Sequence, residues 1–133
     1  MKVVFICTGN TCRSPMAELY TASRLGGDAR FEIISAGLAA YEGSRISAAA
    51  GNVMKHLGID SSHFRSRPAT RELLQSCDLI VAVTAAHRAR LAQAMPEKLP
   101  QMRLLSEFSG TDADIPDPFG GDQASYDHIF SVM

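Results

Sequence analysis

Eight consecutive residues near the amino terminus, Cys7-Thr8-Gly9-Asn10-Thr11-Cys12-Arg13-Ser14, combine side chains suited to attack on phosphorus. A cysteine attacks as its thiolate, so the surrounding loop must favour negative charge. Arg13, six residues on, offers a planar fork matching two phosphoryl oxygens. Ser14 adds a hydroxyl able to hydrogen-bond the sulfur. Gly9 and Asn10 are types that tolerate positive φ, which lets a loop curl with its amides inward. Inward N–H groups and the first turn of a following helix would cradle a dianion and lower the Cys7 pKa. A lone cysteine at a strand end is usually buried and inert. The spacing to Arg13 and Ser14 is what turns this one into a candidate nucleophile.

Displacement at phosphorus also needs a proton donor for the leaving group. Asp117, in Ile115-Pro116-Asp117-Pro118-Phe119, is the candidate. Two prolines would stiffen its loop, and Phe119 would shield the carboxyl and raise its pKa towards the working range. Asp-Pro also starts ordinary turns, so Asp112 and Asp114 remain rivals on the residues alone.

Several elements must position these groups. Residues 2–7 read as a buried strand feeding the loop, and Arg13 to Leu25 as a helix stopped by Gly26-Gly27, with Pro15 tolerable in its first turn. Phe31 to Ser35 reads as a second strand closed by Ala36-Gly37, and 47–57 as a helix ended by Gly58. Thr70 opens a short helix ending near Ser76, and the apolar run Leu79 to Val83 is a central parallel strand. Thr84 caps a helix to about Ala94, stopped by Pro96. Met102 to Leu105 is a weaker fourth strand, and 122–132 a final helix. Strands separated by helical segments imply an α/β three-layer sandwich with helices on both faces of a parallel sheet. The loop after the first strand then lies where such sheets present their sites.

Composition sets outer bounds. The 133 residues fit one domain over 1–133, with 46% hydrophobic and 20% charged residues, an ordinary globular balance. A net charge of -1 without a dense basic run points away from nucleic acid and from acidic membranes. Val3 to Ile6 is too short for a membrane span, and no signal peptide is recognisable. Three irregularly spaced cysteines are unlike a secreted disulfide framework, so a cytoplasmic location is expected.

Residues 7–18 (CTGNTCRSPMAE), with Asp-Pro near the carboxyl terminus, resemble the low-molecular-weight protein tyrosine phosphatases. The resemblance extends through Ser35-Ala36-Gly37, residues 56–60 (HLGID), Thr70 to Leu73, residues 78–87 (DLIVAVTAAH) and residues 117–121 (DPFGG). It implies a flavodoxin-like, phosphotyrosine phosphatase I fold with four parallel strands in the order 2-1-3-4. No metal or other cofactor is implied. It further implies Cys7 as nucleophile, Arg13 as phosphate ligand, Asn10 and Ser14 as loop supports, and Asp117 as general acid and base. Thr8, Gly9, Asn10, Thr11, Cys12 and Ser14 would surround phosphate or another oxyanion, with Phe119 and Tyr126 at the substrate side. Phosphorylated proteins are the implied partners, and a monomer is expected.

Thr11 stands where Ile is more frequent, and that version of the loop is similar to the bacterial branch acting on protein phosphoarginine. A threonine opens space and offers a hydroxyl to a guanidinium, while Asp117 would pair with its charge. The chain ends at Met133, a few helical turns earlier than usual members, which implies a shortened final helix. Val83 replaces a frequent methionine, a tolerable core exchange.

Cys12 shares the loop with Cys7 and would form a reversible disulfide with it, protecting the nucleophile from over-oxidation. Cys77 reads as packing. His56, His63, His87 and His128 lack metal-ligand spacing, and His87 reads as a packing residue. Tyr41 and Tyr126 are candidates for the pocket mouth. Arg65, Arg67, Arg71 and Arg88 read as a solvated face. Three other functions compete. A thioredoxin-coupled arsenate reductase needs two further cysteines in succession at and after the end of the third strand, where Thr84 stands. A phosphocysteine carrier must shield its intermediate from water, which Arg13 and Asp117 argue against. A dinucleotide-binding module lacks its glycine fingerprint.

Overall fold

The computed structural model of the protein describes residues 1–109. The expected helix at 122–132 lies outside the described residues, as do Asp112, Asp114, Asp117, Phe119, Tyr126 and His128. Four strands form the sheet: β1 (Lys2–Cys7), β2 (Glu32–Gly37), β3 (Leu79–Ala82) and β4 (Met102–Leu104). They are all parallel and lie in the order β2-β1-β3-β4. The helices are α1 (Arg13–Leu25), α2 (Ala48–His56), α3 (Arg71–Gln75), α4 (Ala85–Ala94) and α5 (Leu105–Ser109).

The sheet is covered on both sides, which explains why its central strands are near-continuous apolar runs rather than alternating ones. Val4, Ile6, Ile80 and Ala82 pack against Leu74 of α3, Leu91 of α4 and Met95 just past α4. Val3, Phe5, Cys7, Val81 and Val83 face the other way, with Ala17 of α1 and Leu105. Cys7 therefore ends β1 on the side from which α1 returns.

Local signals at the helix ends perform as expected. Ser47, Thr70 and Thr84 each accept a backbone N–H from three residues on, capping α2, α3 and α4. Such a cap is worth about 1 kcal/mol. Gly26 adopts φ 60° just past α1, and Gly58 φ 74° just past α2, conformations that side chains resist.

Several boundaries differ from the sequence reading: β2 starts at Glu32 rather than Phe31, and β3 ends at Ala82 rather than Val83. Strand β2 runs on to Gly37 because Ala36 and Gly37 stay in register with Ile6 and Cys7. Between α4 and β4 the chain forms a 3₁₀ helix at Pro96–Gln101, so Pro96 opens a tighter helix as well as closing α4. Strand β4 ends at Leu104, and Leu105 starts α5 and turns into the core.

The register brings three strand ends together. Cys7 pairs with Gly37, Ile6 with Ala82, and the Val83 N–H donates to the Ile6 carbonyl at 3.0 Å. Since β1 connects to neighbours on opposite sides, the loop after β1 opens at the sheet's topological switch point.

Candidate active site

The segment 8–12 leaves β1 and turns at once into α1, with Cys12 as the residue before the helix. Pro15 falls at the third helical position, where its missing N–H costs nothing. Asn10 alone among the loop residues takes positive φ, 55°, whereas Gly9 does not. The expectation that both residues bend the loop is thus corrected: the turn rests on Asn10, whose side chain supports it.

Asn10 is fully buried and uses its whole amide. Its Oδ1 accepts the Arg67 backbone N–H at 2.9 Å, and that donor fixes the amide's orientation. Its Nδ2 then donates to Ser14 Oγ at 2.8 Å and to Ser35 Oγ at 2.9 Å. Ser35 in turn donates to Glu18 Oε1 at 2.7 Å. Ser14 Oγ, which accepts from Asn10, lies 2.9 Å from Cys7 Sγ and keeps a hydrogen to give the sulfur when it is a thiolate. The sulfur also accepts the Asn10 backbone N–H at 3.3 Å. Two donors thus converge on the sulfur, and their arrangement suits a negatively charged atom.

The chain outside the loop is equally committed. Leu38 N–H donates to the Cys7 carbonyl, Ala39 N–H to Thr8, Ser47 N–H to Thr11, and Met16 N–H to Cys12, at 2.8–3.1 Å. Gly37 lies directly beneath the loop, where a Cβ would stand 2.5 Å from the Thr8 carbonyl oxygen and 3.0 Å from the Asn10 nitrogen. Any side chain there would lift the loop.

Arg13 opens α1 and is 3% exposed, and Ser14 is fully buried. Cys12 is buried among Met16, Leu19, Ala50, Val53 and Met54. Cys7, Cys12 and Cys77 are free thiols. Thr8 and Gly9 are exposed and Thr11 is half-buried. Thr11 Oγ1 lies 3.7 Å from where a Cβ of Gly9 would be, which puts its hydroxyl over the exposed glycine. Thr8 Oγ1 meets His87 Nε2 at 2.9 Å.

Burial pushes the Glu18 carboxyl above its ordinary value, against the lowering effects of the Ser35 hydrogen bond and of nearby Arg67 and His63. The Cys77 thiol is likewise raised by burial, and it donates to the Leu73 carbonyl. Tyr41 is 83% exposed on the loop after β2. Arg71 pairs with Glu97 at 3.1 Å and Arg88 with Glu107 at 3.4 Å, while Arg65 bonds the Ser62 and Phe64 carbonyls. Among the described residues no cluster of three His, Cys, Asp or Glu could hold a metal, and no helix is long and apolar enough to cross a membrane.

Glu18, Ser35, Gly37 and the Arg67 backbone were given no chemical role from sequence. Glu18 and Ser35-Ala36-Gly37 do fall within the segments carrying the resemblance, but only the folded chain brings them together.

Residues 2–133 match the family described as low molecular weight phosphotyrosine protein phosphatase. A protein-arginine-phosphatase of Geobacillus stearothermophilus is 42% identical over 122 residues, covering 90% of this chain and 80% of the relative. The low molecular weight protein-tyrosine phosphatase A of Mycobacterium tuberculosis is 36% identical over 142 residues, covering 100% of this chain and 85% of the relative. Among solved structures, a YwlE arginine phosphatase variant with a phosphorylated active-site serine superposes with a TM-score of 0.84 at 32% identity, covering 99% of this chain and 90% of that one. Sheet order, loop and likeness agree: the chain belongs to the low-molecular-weight protein phosphatase family and is a hydrolase of that family.

Proposed function

We propose that this phosphatase acts on phosphoarginine residues of proteins, with phosphotyrosine as the second substrate class, through a phosphocysteine on Cys7. The observation that carries the reading is the Cys7 sulfur held between the Asn10 N–H and Ser14 Oγ at the mouth of a helix. The Cys7 thiolate attacks phosphorus, and an S–P bond forms as the bond to the guanidine nitrogen, or to the phenol oxygen, breaks. Arg13 and the loop amides hold the phosphoryl oxygens. Asp117 gives its proton to the departing group. Water then attacks the phosphocysteine and loses a proton to the Asp117 carboxylate. The S–P bond breaks, inorganic phosphate leaves, and the thiolate is restored.

Thr11 favours phosphoarginine because its hydroxyl lies at the exposed side of the loop, where a guanidinium donor needs an acceptor. The arginine phosphatase relative supports that choice, and the phosphorylated serine of the YwlE variant supports a phosphoryl group carried on the nucleophile's position. Phe119 and Tyr126 complete the substrate side in this proposal. Cys7 and Cys12 form the redox pair, losing two electrons and two protons to a peroxide-class oxidant as their disulfide forms. Action as a monomer in the cytoplasm, where thiols stay reduced, completes the reading. An arsenate reductase would need successive cysteines after β3, where Val83, Thr84 and Ala85 stand.

Side-by-side rates on phosphoarginine and phosphotyrosine peptides test the proposal, with Cys7→Ser as the control. The expected result is faster release from phosphoarginine, no turnover by the variant, and retained vanadate binding. Turnover by Cys7→Ser removes the nucleophile. A clear preference for phosphotyrosine overturns the substrate class, and a phosphoprotein stable in buffer indicates a carrier.

A further inference from the structure

The loop is also held from the β3 side, through a side chain that packing alone does not explain. His87 sits in the first turn of α4 and is 7% exposed. Its two ring nitrogens are both engaged, Nδ1 with Thr84 Oγ1 and Nε2 with Thr8 Oγ1, each at 2.9 Å. Thr84 Oγ1 already accepts the His87 backbone N–H as the helix cap, at 3.2 Å. The Thr84 hydroxyl still has its hydrogen to give, and if it goes to Nδ1 the ring carries its own hydrogen on Nε2. Nε2–H then donates to Thr8 Oγ1. The Thr8 hydroxyl hydrogen remains, on an exposed residue directly after Cys7.

We propose that His87 is a positioning residue that, set by the Thr84 cap, holds the Thr8 hydroxyl as a hydrogen-bond donor to the phosphoryl group bound over Cys7. The opposite tautomer would turn Thr8 into an acceptor at the same place and would suit an anion poorly. The cap of α4 thus selects the polarity of one rim group on the neighbouring strand's loop. The inference rests on the proposed role of that loop as the phosphoryl site.

Three measurements on the full chain test it. Thr8→Val and His87→Ala should each lower kcat/KM on a small aryl phosphate about tenfold, the loss expected for one hydrogen bond. Each should weaken inhibition by inorganic phosphate in parallel. The double variant should be no worse than either single one, since both remove the same contact. Nitrogen-15 spectra of labelled histidine should show the His87 hydrogen on Nε2 alone. Additive losses, wild-type kinetics in Thr8→Val, unchanged phosphate inhibition, or a hydrogen on Nδ1 would each overturn the proposal. Should His87→Ala fail to fold, Thr8→Val and the spectra still decide. Failure of the underlying reading looks different, because Cys7→Ser would then retain turnover.

Discussion

The back of the Cys7 loop and its rim are built on opposite plans. Behind the sulfur, Asn10, Ser14 and Ser35 are buried and linked hydrogen by hydrogen to Glu18. In front, Thr8 and Gly9 are exposed and Thr11 is half-buried, and the Thr8 hydroxyl meets His87 Nε2. The back satisfies its buried polar groups within the protein, so it fixes where the Cys7 sulfur stands. The rim tolerates exchange, because water can replace a lost partner there. Under the proposed function, the chemistry belongs to the first region and discrimination among substrates to the second.

Removing the centre of the back should break this contrast most visibly. Asn10→Ala strands the Arg67 N–H, removes the donor to two serine hydroxyls, and places alanine at a φ of 55°. The orphaned N–H costs about 1–3 kcal/mol and the conformation about 1 kcal/mol more. We expect kcat/KM to fall at least about a hundredfold, together with a lower melting temperature. Activity near wild type would show that the loop stands without its buried amide. At the rim, Thr11→Ile should leave the melting temperature within about 2 °C but move the phosphoarginine-to-phosphotyrosine rate ratio about tenfold towards phosphotyrosine. An unchanged ratio would take substrate choice away from this position.

The smallest effect concerns the far end of the buried chain. Because burial raises the Glu18 carboxyl above its ordinary 4.5, the folded protein keeps that proton where the unfolded chain has lost it. This group's share of stability therefore declines as pH rises upward from that value. Glu18→Gln keeps an acceptor for Ser35 and removes the decline, so the variant should gain relative to wild type between pH 4 and pH 7 in urea titrations. Parallel stability curves would mean that Glu18 ionises without strain on the network.

The sequence disclosed what depends on neighbours in the chain. Continuous apolar runs marked β1 and β3 because both faces of those strands are covered, and Thr70 and Thr84 announced their helices by capping them. Cys7, Arg13 and Ser14 were legible because loop and helix start are contiguous. The supports were harder to see. Asn10 was named as a support through the resemblance, but its partners Glu18, Ser35 and Arg67 lie far apart along the chain, and a serine inside a strand pattern looks like any other strand residue. His87 read as packing because its partner Thr8 is 79 residues away. Gly9 drew attention as a glycine, yet Asn10 makes the bend. Pro96 was read as a stop because a proline that breaks an α-helix can equally open a 3₁₀ one.

One detail of the loop's fastening reaches further. The carbonyls of Cys7, Thr8, Thr11 and Cys12 are all occupied by amides of neighbouring segments. The negative ends of those peptide dipoles are thereby anchored in the scaffold, while the Asn10 amide turns to the sulfur. Sorting the dipoles in this way favours negative charge at the sulfur, before any ionised side chain contributes. That preference comes from the backbone, and substitution of rim side chains leaves it in place.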